Sequence, residues 1–448
     1  MALSHYLKIL PLPGDEAKRL LFSTRTGGLV VLGREALAAL RDNRAPADLT
    51  AALTRLSLVV DDPARERAEM ADYLSGVNRV NPNLRVAVIL GMACNFACVY
   101  CYEGSLKGSA AMGDATAAQL VDFLLARFRA GGKHRLTLDF YGGEPLLYLP
   151  RIRSLAARLR PAIEALGGYF SFTLVSNGSL LSRPVVDELV ALGLVSVKVT
   201  VDGSAASHDR QRPFKDGRPS WTRIIDNLFA CRGACRITLS GNYTADSAAH
   251  FPRLLDTLLD RGFTPADFAS VQFFPVMQIS DRFANPEFTG GCCSNDEPWV
   301  HATSLALREE ILQRGFYYPK LSPSPCMVEL DDGLTVDHDG TLYKCVTLIG
   351  HPEFACGDIW QGMRDGWQQT YCLDHWRREP QCRDCVYLPL CFGGCRAMAW
   401  QREGTMARVD CQRALFDATL APMLAQDLRY RYGRVSSGIQ GQEGQGQA

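Results

Sequence analysis

Residues 84–101 read LRVAVILGMACNFACVYC. An apolar run rich in β-branched residues ends at Leu90. Three cysteines then fall within eight residues, separated by three residues and by two. The run reads as a buried strand of a parallel sheet. In parallel α/β folds ligands collect at the C-terminal ends of the strands, so the loop carrying Cys94, Cys98 and Cys101 sits where chemistry belongs. Three thiolates can hold three irons of a 4Fe–4S cluster and leave the fourth open to a small molecule. A structural zinc ion asks for a fourth Cys or His in paired short spacings, and His134 lies too far along the chain. On spacing alone iron–sulfur leads, with zinc and chance clustering left open.

Outward from this strand the pattern repeats. RLTLDFY (135–141), FSFTLVS (170–176), VSVKVTV (195–201), RITLSGNY (236–243) and SVQFFPV (270–276) are further strand candidates. Helical patterns fall between and after them: one follows Asp114, read as an N-cap, and stops at Gly131-Gly132, and others cover about 150–166, 184–192, 221–231, 248–261 and 299–314. Six β–α units in succession predict a parallel α/β architecture with right-handed crossovers. Eight would close a TIM barrel; six predict a partial (β/α)6 barrel over 81–315, with an open doubly wound sheet as the alternative.

The chain has 448 residues, 47% hydrophobic and 21% charged, with 48 basic and 48 acidic side chains. That balance gives no reason to expect nucleic acid or an anionic membrane as partner. No run of about 18 apolar residues suggests a membrane span, and the N-terminus lacks the pattern of a secretory signal. A cytoplasmic location is expected. Sixteen cysteines in a reducing compartment then point to metal rather than disulfides. None precedes residue 94, and nine lie between Cys326 and Cys411.

CNFACVYC, followed by YGGEP (141–145) and SNG (176–178), resembles the radical S-adenosylmethionine (SAM) superfamily. The resemblance implies a cluster on Cys94, Cys98 and Cys101 whose open iron binds the amino and carboxylate groups of SAM. It also implies reductive cleavage of SAM to a 5′-deoxyadenosyl radical, which abstracts a hydrogen atom from substrate. Gly142 and Gly143 would let backbone approach the ligand. Glu144 would accept from the SAM amino group, and Pro145 would stiffen the turn. Ser176 and Asn177, with Gly178 after them, would approach the ribose or carboxylate, and Tyr100 the adenine. VTVDGSAASHDRQRPFKDG (199–217) resembles the family's fourth-strand segment. It would bring Arg212 to the SAM carboxylate, with Asp202 and His208 as weaker candidates for direct roles.

The end of the chain carries a second cysteine pattern. Thirteen residues separate Cys326 from Gly340 and four separate Gly340 from Cys345; Cys382, Cys385, Cys391 and Cys395 follow at spacings of two, five and three, and Cys411 closes the set. GLTVDHDGTLYKC (333–345) reads as a hairpin turning at Asp-Gly. Taken alone, the closely spaced run suits a ferredoxin-like or a zinc arrangement. The full order resembles the SPASM domain (316–432), which accompanies radical SAM enzymes acting on peptides and proteins. The resemblance implies one auxiliary 4Fe–4S cluster on Cys382, Cys385, Cys391 and Cys411. It implies another on Cys326, Cys345 and Cys395, with Cys292 or Cys293, Cys356, or no residue as fourth ligand. Cys231, Cys235 and Cys372 read as ordinary buried cysteines. Sulfatase-maturating relatives place an aspartate after the cysteine equivalent to Cys345; here Val346 stands there. This argues against formylglycine formation and for cross-linking of a ribosomally made peptide.

Residues 1–80 read as a small α+β module, with strand candidates in YLKILPL, LLFSTRT and LVVLG and helical patterns near 34–41 and 47–56. LLFSTRTGGLVVLG (20–33), the segment 71–104 and GGCC-x4-PW (290–299) resemble the geopeptide-type maturases. The resemblance implies a short precursor peptide as substrate, its leader paired with a sheet edge of residues 1–80. It also implies a thioether cross-link as first product and a flavodoxin- or ferredoxin-type reductant. Carbon–carbon or carbon–oxygen cross-linking, epimerisation and sulfatase-maturase-like oxidation are the alternatives. A zinc-binding interaction protein and an iron–sulfur electron carrier are the readings from other classes. The tail 433–448, rich in Gly and Gln, is expected to be disordered.

Overall fold

The computed structural model describes residues 1–323 and 325–432, so the tail expectation lies outside the described residues. Six strands follow the cysteine-free opening: β6 (Asn83–Ile89), β7 (Arg135–Tyr141), β8 (Tyr169–Ser176), β9 (Leu194–Thr200), β10 (Arg236–Tyr243) and β11 (Ser270–Pro275). They pair in chain order and all in parallel. Each bound lies within a residue of the apolar run that predicted it. A buried parallel strand is apolar on both faces, and turn residues end it sharply.

The connecting helices cover one face. Helix Asp114–Ala130 buries Leu120, Leu124 and Phe128, and helix Leu149–Ala165 buries Ile152, Leu155, Leu159 and Ile163. This is the three-and-four spacing of an amphipathic helix on a sheet. Asp114 is not the N-cap: Gly113 holds that place, and the Asp114 carboxylate pairs with Arg151 at 2.7 Å. The region 248–261 divides into a 3-10 turn, Ala248–His250, and a helix, Phe251–Asp260.

Four strands of the cysteine-rich region continue the sheet beyond these six. β12 (Gly333–Val336) lies parallel to β6, with Gly333 opposite Arg85 and Val336 opposite Val88. It turns at Gly340 (φ 93°) into antiparallel β13 (Thr341–Tyr343), as the Asp-Gly signal predicts. β14 (Gly357–Asp358) and β15 (Gly362–Met363) extend the same sheet. The cysteine-rich region thus grows from the edge of the barrel strand that carries the three-cysteine loop.

The N-terminal module contains β1 (Ala2–Leu3) paired with β5 (Val59–Val60), and an antiparallel sheet of β2 (Leu7–Leu12), β3 (Asp15–Ser23) and β4 (Leu29–Gly33). Leu21, Leu37, Leu53 and Leu58 form its own core. A second core is shared: Tyr6, Phe22, Met70 and Leu74 pack with Trp376, Tyr387, Phe392 and Leu420 of the cysteine-rich region. Arg67 pairs with Asp384 at 2.9 Å across this junction. The module docks on the C-terminal region through apolar side chains, which supply most of the cohesion in such contacts.

Candidate active site

The loop after β6 is held from several sides. The Ala93 N–H donates to the Tyr148 hydroxyl at 2.9 Å, and Ala93 O accepts from Glu144 N at 2.9 Å. Ala97 N donates to Pro213 O at 2.9 Å and Val99 N to Gln211 O at 3.0 Å. These bonds draw three strand ends together around a cavity of about 380 Å3. Cys94, Cys98 and Cys101 line it, with Tyr100, Gly142, Gly143, Ser176, Asn177 and Arg212. Burial pushes all three thiols above their ordinary range. Two cations face them. Burial works against the Lys107 ammonium, but thiolate charge at Cys101, Cys98 and Cys94 outweighs it and holds its pKa up. Arg212 is likewise held well above its ordinary value, against burial, by Cys98, Tyr100 and Asp202.

The turn after β7 works differently from the expectation. Gly142 and Gly143 have φ of 82° and 49°, and a Cβ on Gly143 would sit 2.2 Å from Ala93 O. Glycine is required here for the approach of the cysteine loop as much as for any ligand. The Glu144 carboxylate is fully buried and does not line the cavity. It accepts from Leu146 N at 3.1 Å, Ser176 Oγ at 2.9 Å and Asn177 N at 2.7 Å, joining the ends of β7 and β8. Pro145, also buried, opens the 3-10 turn Pro145–Tyr148.

Tyr100, Asp202 and Arg212 form one buried network. The Tyr100 hydroxyl donates to Asp202 and accepts from Arg212 Nη1 at 2.7 Å and from Asn242 Nδ2 at 3.0 Å. Asp202 lies behind the cavity wall. His208 is structural: Nδ1 accepts the Asp202 N–H at 3.0 Å, and Nε2 lies 3.0 Å from Ser220 Oγ. Ser220 in turn donates to Arg212 O at 2.6 Å, so the ring is assigned as the neutral Nε2–H tautomer. Burial first, then Arg212, holds its pKa well below the ordinary histidine value.

Three residues of this site carry no motif signal of their own. Glu103 accepts the Gly143 N–H at 3.0 Å, and the Tyr102 hydroxyl meets that of Tyr141 at 3.0 Å; Lys107 is the third. Glu103 could have been suspected from its place two residues after Cys101.

The C-terminal cysteines gather in two places. Cys382, Cys385, Cys391 and Cys411 line one small cavity. Burial raises Cys391 to about 12 and Cys382 to about 11. Cys326 and Cys395 lie close enough to Cys345 that, after burial, their charges raise it further, to about 12. Cys395 also lines the first cavity, beside Thr347 and Met398. The candidate fourth ligands are elsewhere. Cys292 is buried with its Sγ 3.2 Å from Met277 Sδ, Cys293 is exposed, and Cys356 donates to Leu342 O at 3.2 Å. The acidic neighbours of Cys292 are Glu297 and Cys293, not the Cys326–Cys345–Cys395 group. Of the three cysteines read as ordinary, Cys231 is buried, while Cys235 and Cys372 are half-buried.

Among the described residues no three Cys, His, Asp or Glu side chains close on a single point. Cys94, Cys98 and Cys101 instead line one cavity, and Cys382, Cys385, Cys391 and Cys411 another, which suits clusters of several irons better than one tetrahedral ion. The guanidinium Nε of Arg212 is buried without a partner among the described residues. A buried unsatisfied donor is costly, and an anionic ligand in the cavity would satisfy it. The donor set therefore fits a 4Fe–4S cluster with SAM.

Residues 88–245 match the Radical SAM superfamily. A serine-type anaerobic sulfatase-maturating enzyme of Klebsiella aerogenes is 30% identical over 144 residues, covering 31% of this chain and 34% of that enzyme. The match thus spans about a third of that relative's length. The structure titled native anSMEcpe with bound AdoMet and Kp18Cys peptide superposes with a TM-score of 0.60 at 17% identity, covering 80% of this chain and 99% of the other. Streptococcus suis SuiB bound to precursor peptide SuiA gives 0.53 at 11% identity, covering 92% and 98%. No helix among the described residues is long and apolar enough to cross a membrane. Cysteine loop and sheet order agree with that match: residues 88–245, which match the Radical SAM superfamily, lie within the fold that anSMEcpe and SuiB share.

Proposed function

We propose that the chain is a radical SAM peptide maturase that cross-links a ribosomally made precursor. The reading rests above all on one observation: a single cavity is walled by the three-cysteine loop on one side and by Cys395 of the cysteine-rich region on the other. Cys94, Cys98 and Cys101 would hold the cluster. When bound, the reduced cluster and SAM supply a 5′-deoxyadenosyl radical that takes a hydrogen atom from the substrate. The chain's own residues position the partners. The Arg212 fork binds the SAM carboxylate, with Asp202 and Asn242 fixing Tyr100 beside it. Lys107 offsets the negative charge of the thiolates. The Gly142–Gly143 backbone, Ser176 and Asn177 shape the wall for the rest of the nucleoside. Cys382, Cys385, Cys391 and Cys411 would hold one auxiliary cluster and Cys326, Cys345 and Cys395 another.

A thioether is the first product considered, because a cluster held by Cys395, which lines the same cavity, would lie within reach of a substrate thiolate. Val346 offers no carboxylate to act as base, which speaks against sulfatase-type oxidation. The precursor leader would add as a strand to the outer edge of β4, which no strand pairs among the described residues. A flavodoxin- or ferredoxin-type protein would supply the electron. Anaerobic co-expression with short cysteine-bearing peptides encoded beside the gene tests this: mass spectrometry should find one pair of hydrogens lost per cross-link. An unaltered peptide beside an active, cluster-loaded enzyme would refute it.

A further inference from the structure

Below the cysteine cavity the barrel interior opens into a second space of about 590 Å3. Tyr141 and Val175 line both, so the two are stacked along the strands. Alternate residues of a strand share a face, and β9 shows this as a column: Ser196 and Lys198 line the lower space and Thr200 the upper. Lys198 is thus one pleat, about 7 Å, below the level of the radical site.

The charges in this lumen do not balance. Its two carboxylates, Asp139 and Asp332, are both taken. Arg85 grips Asp139 with two bonds of 2.6 and 3.1 Å, and Thr173 Oγ1 donates to it at 2.7 Å. Asp332 pairs with Lys133 at 2.5 Å and Arg127 at 3.4 Å. Lys198 has no carboxylate partner among the described residues. Its register neighbours are Val175 and Thr238, and its ammonium lies 5.3 Å from the Phe274 ring. Burial lowers its pKa. Desolvating an ammonium without a counter-charge costs free energy. An incoming carboxylate would recover that cost.

We propose that the lumen receives the substrate segment and that Lys198 pairs with an acidic side chain, Asp or Glu, near the modified residue. The inference rests on the peptide-maturase reading and adds a selection rule to it. A cation one pleat below the radical site would fix the register of an extended peptide, with the paired acid holding the reacting residue at the level of Thr200.

Two heptapeptides with no other charged side chain, one with a central glutamate and the other with glutamine in its place, test this by calorimetric titration into cluster-loaded, SAM-bound protein. The glutamate peptide should bind about tenfold more tightly, a difference typical of one desolvated charge pair. Lys198→Gln should erase the preference, and Lys198→Glu should shift it to a lysine-bearing peptide. Lys198→Met should melt no lower than the parent, since it removes an unpaired charge. Equal affinities, no binding of either peptide at millimolar concentration, or a preference that survives Lys198→Gln would each overturn the proposal. 5′-Deoxyadenosine release by the same parent preparation separates the two levels. Release without glutamate preference sinks the Lys198 inference alone, whereas absence of release sinks the maturase reading beneath it.

Discussion

Glu144 Oε2 accepts the backbone N–H of Asn177 at 2.7 Å, across the gap between two barrel strands. The other carboxylate oxygen takes Ser176 Oγ and Leu146 N. Glu144→Ala therefore orphans three buried donors. Each costs about 1–3 kcal/mol when left unpaired, less whatever water recovers, so the melting temperature should fall clearly. Glu144→Gln, which keeps the shape, should fall less. Thermal unfolding followed by circular dichroism checks the order of the three proteins.

His208 sets a pH dependence. Its folded pKa is well below the ordinary value because burial and Arg212 disfavour the cation. Below about pH 6.5 the unfolded chain protonates this histidine and the folded chain does not. Its contribution is thus full above that pH and is lost as pH falls toward the depressed folded value, by up to about 1.4 kcal/mol per pH unit. In denaturant titrations between pH 7 and 5, His208→Gln should show a shallower acid decline than the parent. Identical slopes would remove His208 as the cause.

The two C-terminal cysteine groups should differ in what their loss does. Cys382 and Cys385 belong to the apolar core that joins the N-terminal module to the cysteine-rich region. Cys385→Ala should therefore lower both iron content and thermal stability. Cys395→Ala, at an exposed position on the cavity wall, should lower iron content and product formation with a smaller change in melting temperature. Iron assays and melting curves on anaerobic preparations distinguish them.

Leader recognition predicts a backbone effect. Ser23 N donates to Gly28 O at 2.8 Å, and Leu21 faces Val30 and Leu20 faces Val31. Bonded and non-bonded pairs alternate in an antiparallel ladder, so Val31 turns its amide to the outer edge of β4. Val31→Pro removes that outward donor while sparing the bond to β3. Leader affinity, measured by fluorescence anisotropy, should drop at least about tenfold for a lost edge pairing. Deleting residues 1–80 is the poorer test, because Tyr6, Phe22 and Met70 help bury the C-terminal core.

The strands and the cysteine loop were legible in local spacing, which is all that periodicity and motif distance can carry. The grouping of Cys382, Cys385, Cys391 and Cys411 came only with the resemblance to the SPASM domain, since spacing alone left other groupings open; the four line one cavity. β12 was legible as half of the Asp-Gly hairpin, but its pairing with β6 was hidden because that parallel partner lies about 250 residues earlier. Lys107 was hidden because a single charged residue has no pattern, and only the folded loop shows which way it faces. The motif points Glu144 toward a ligand; the fold turns its oxygens to Ser176 and Asn177, because a carboxylate buried between two strand ends must be satisfied there.

The most direct test of the account is chemical. Anaerobically prepared, dithionite-reduced protein mixed with SAM should release 5′-deoxyadenosine and methionine, and Cys98→Ala should abolish that release. A cluster-loaded parent that leaves SAM intact, or a Cys98→Ala protein that still cleaves it, would contradict the claim that the three-cysteine cavity is the radical site.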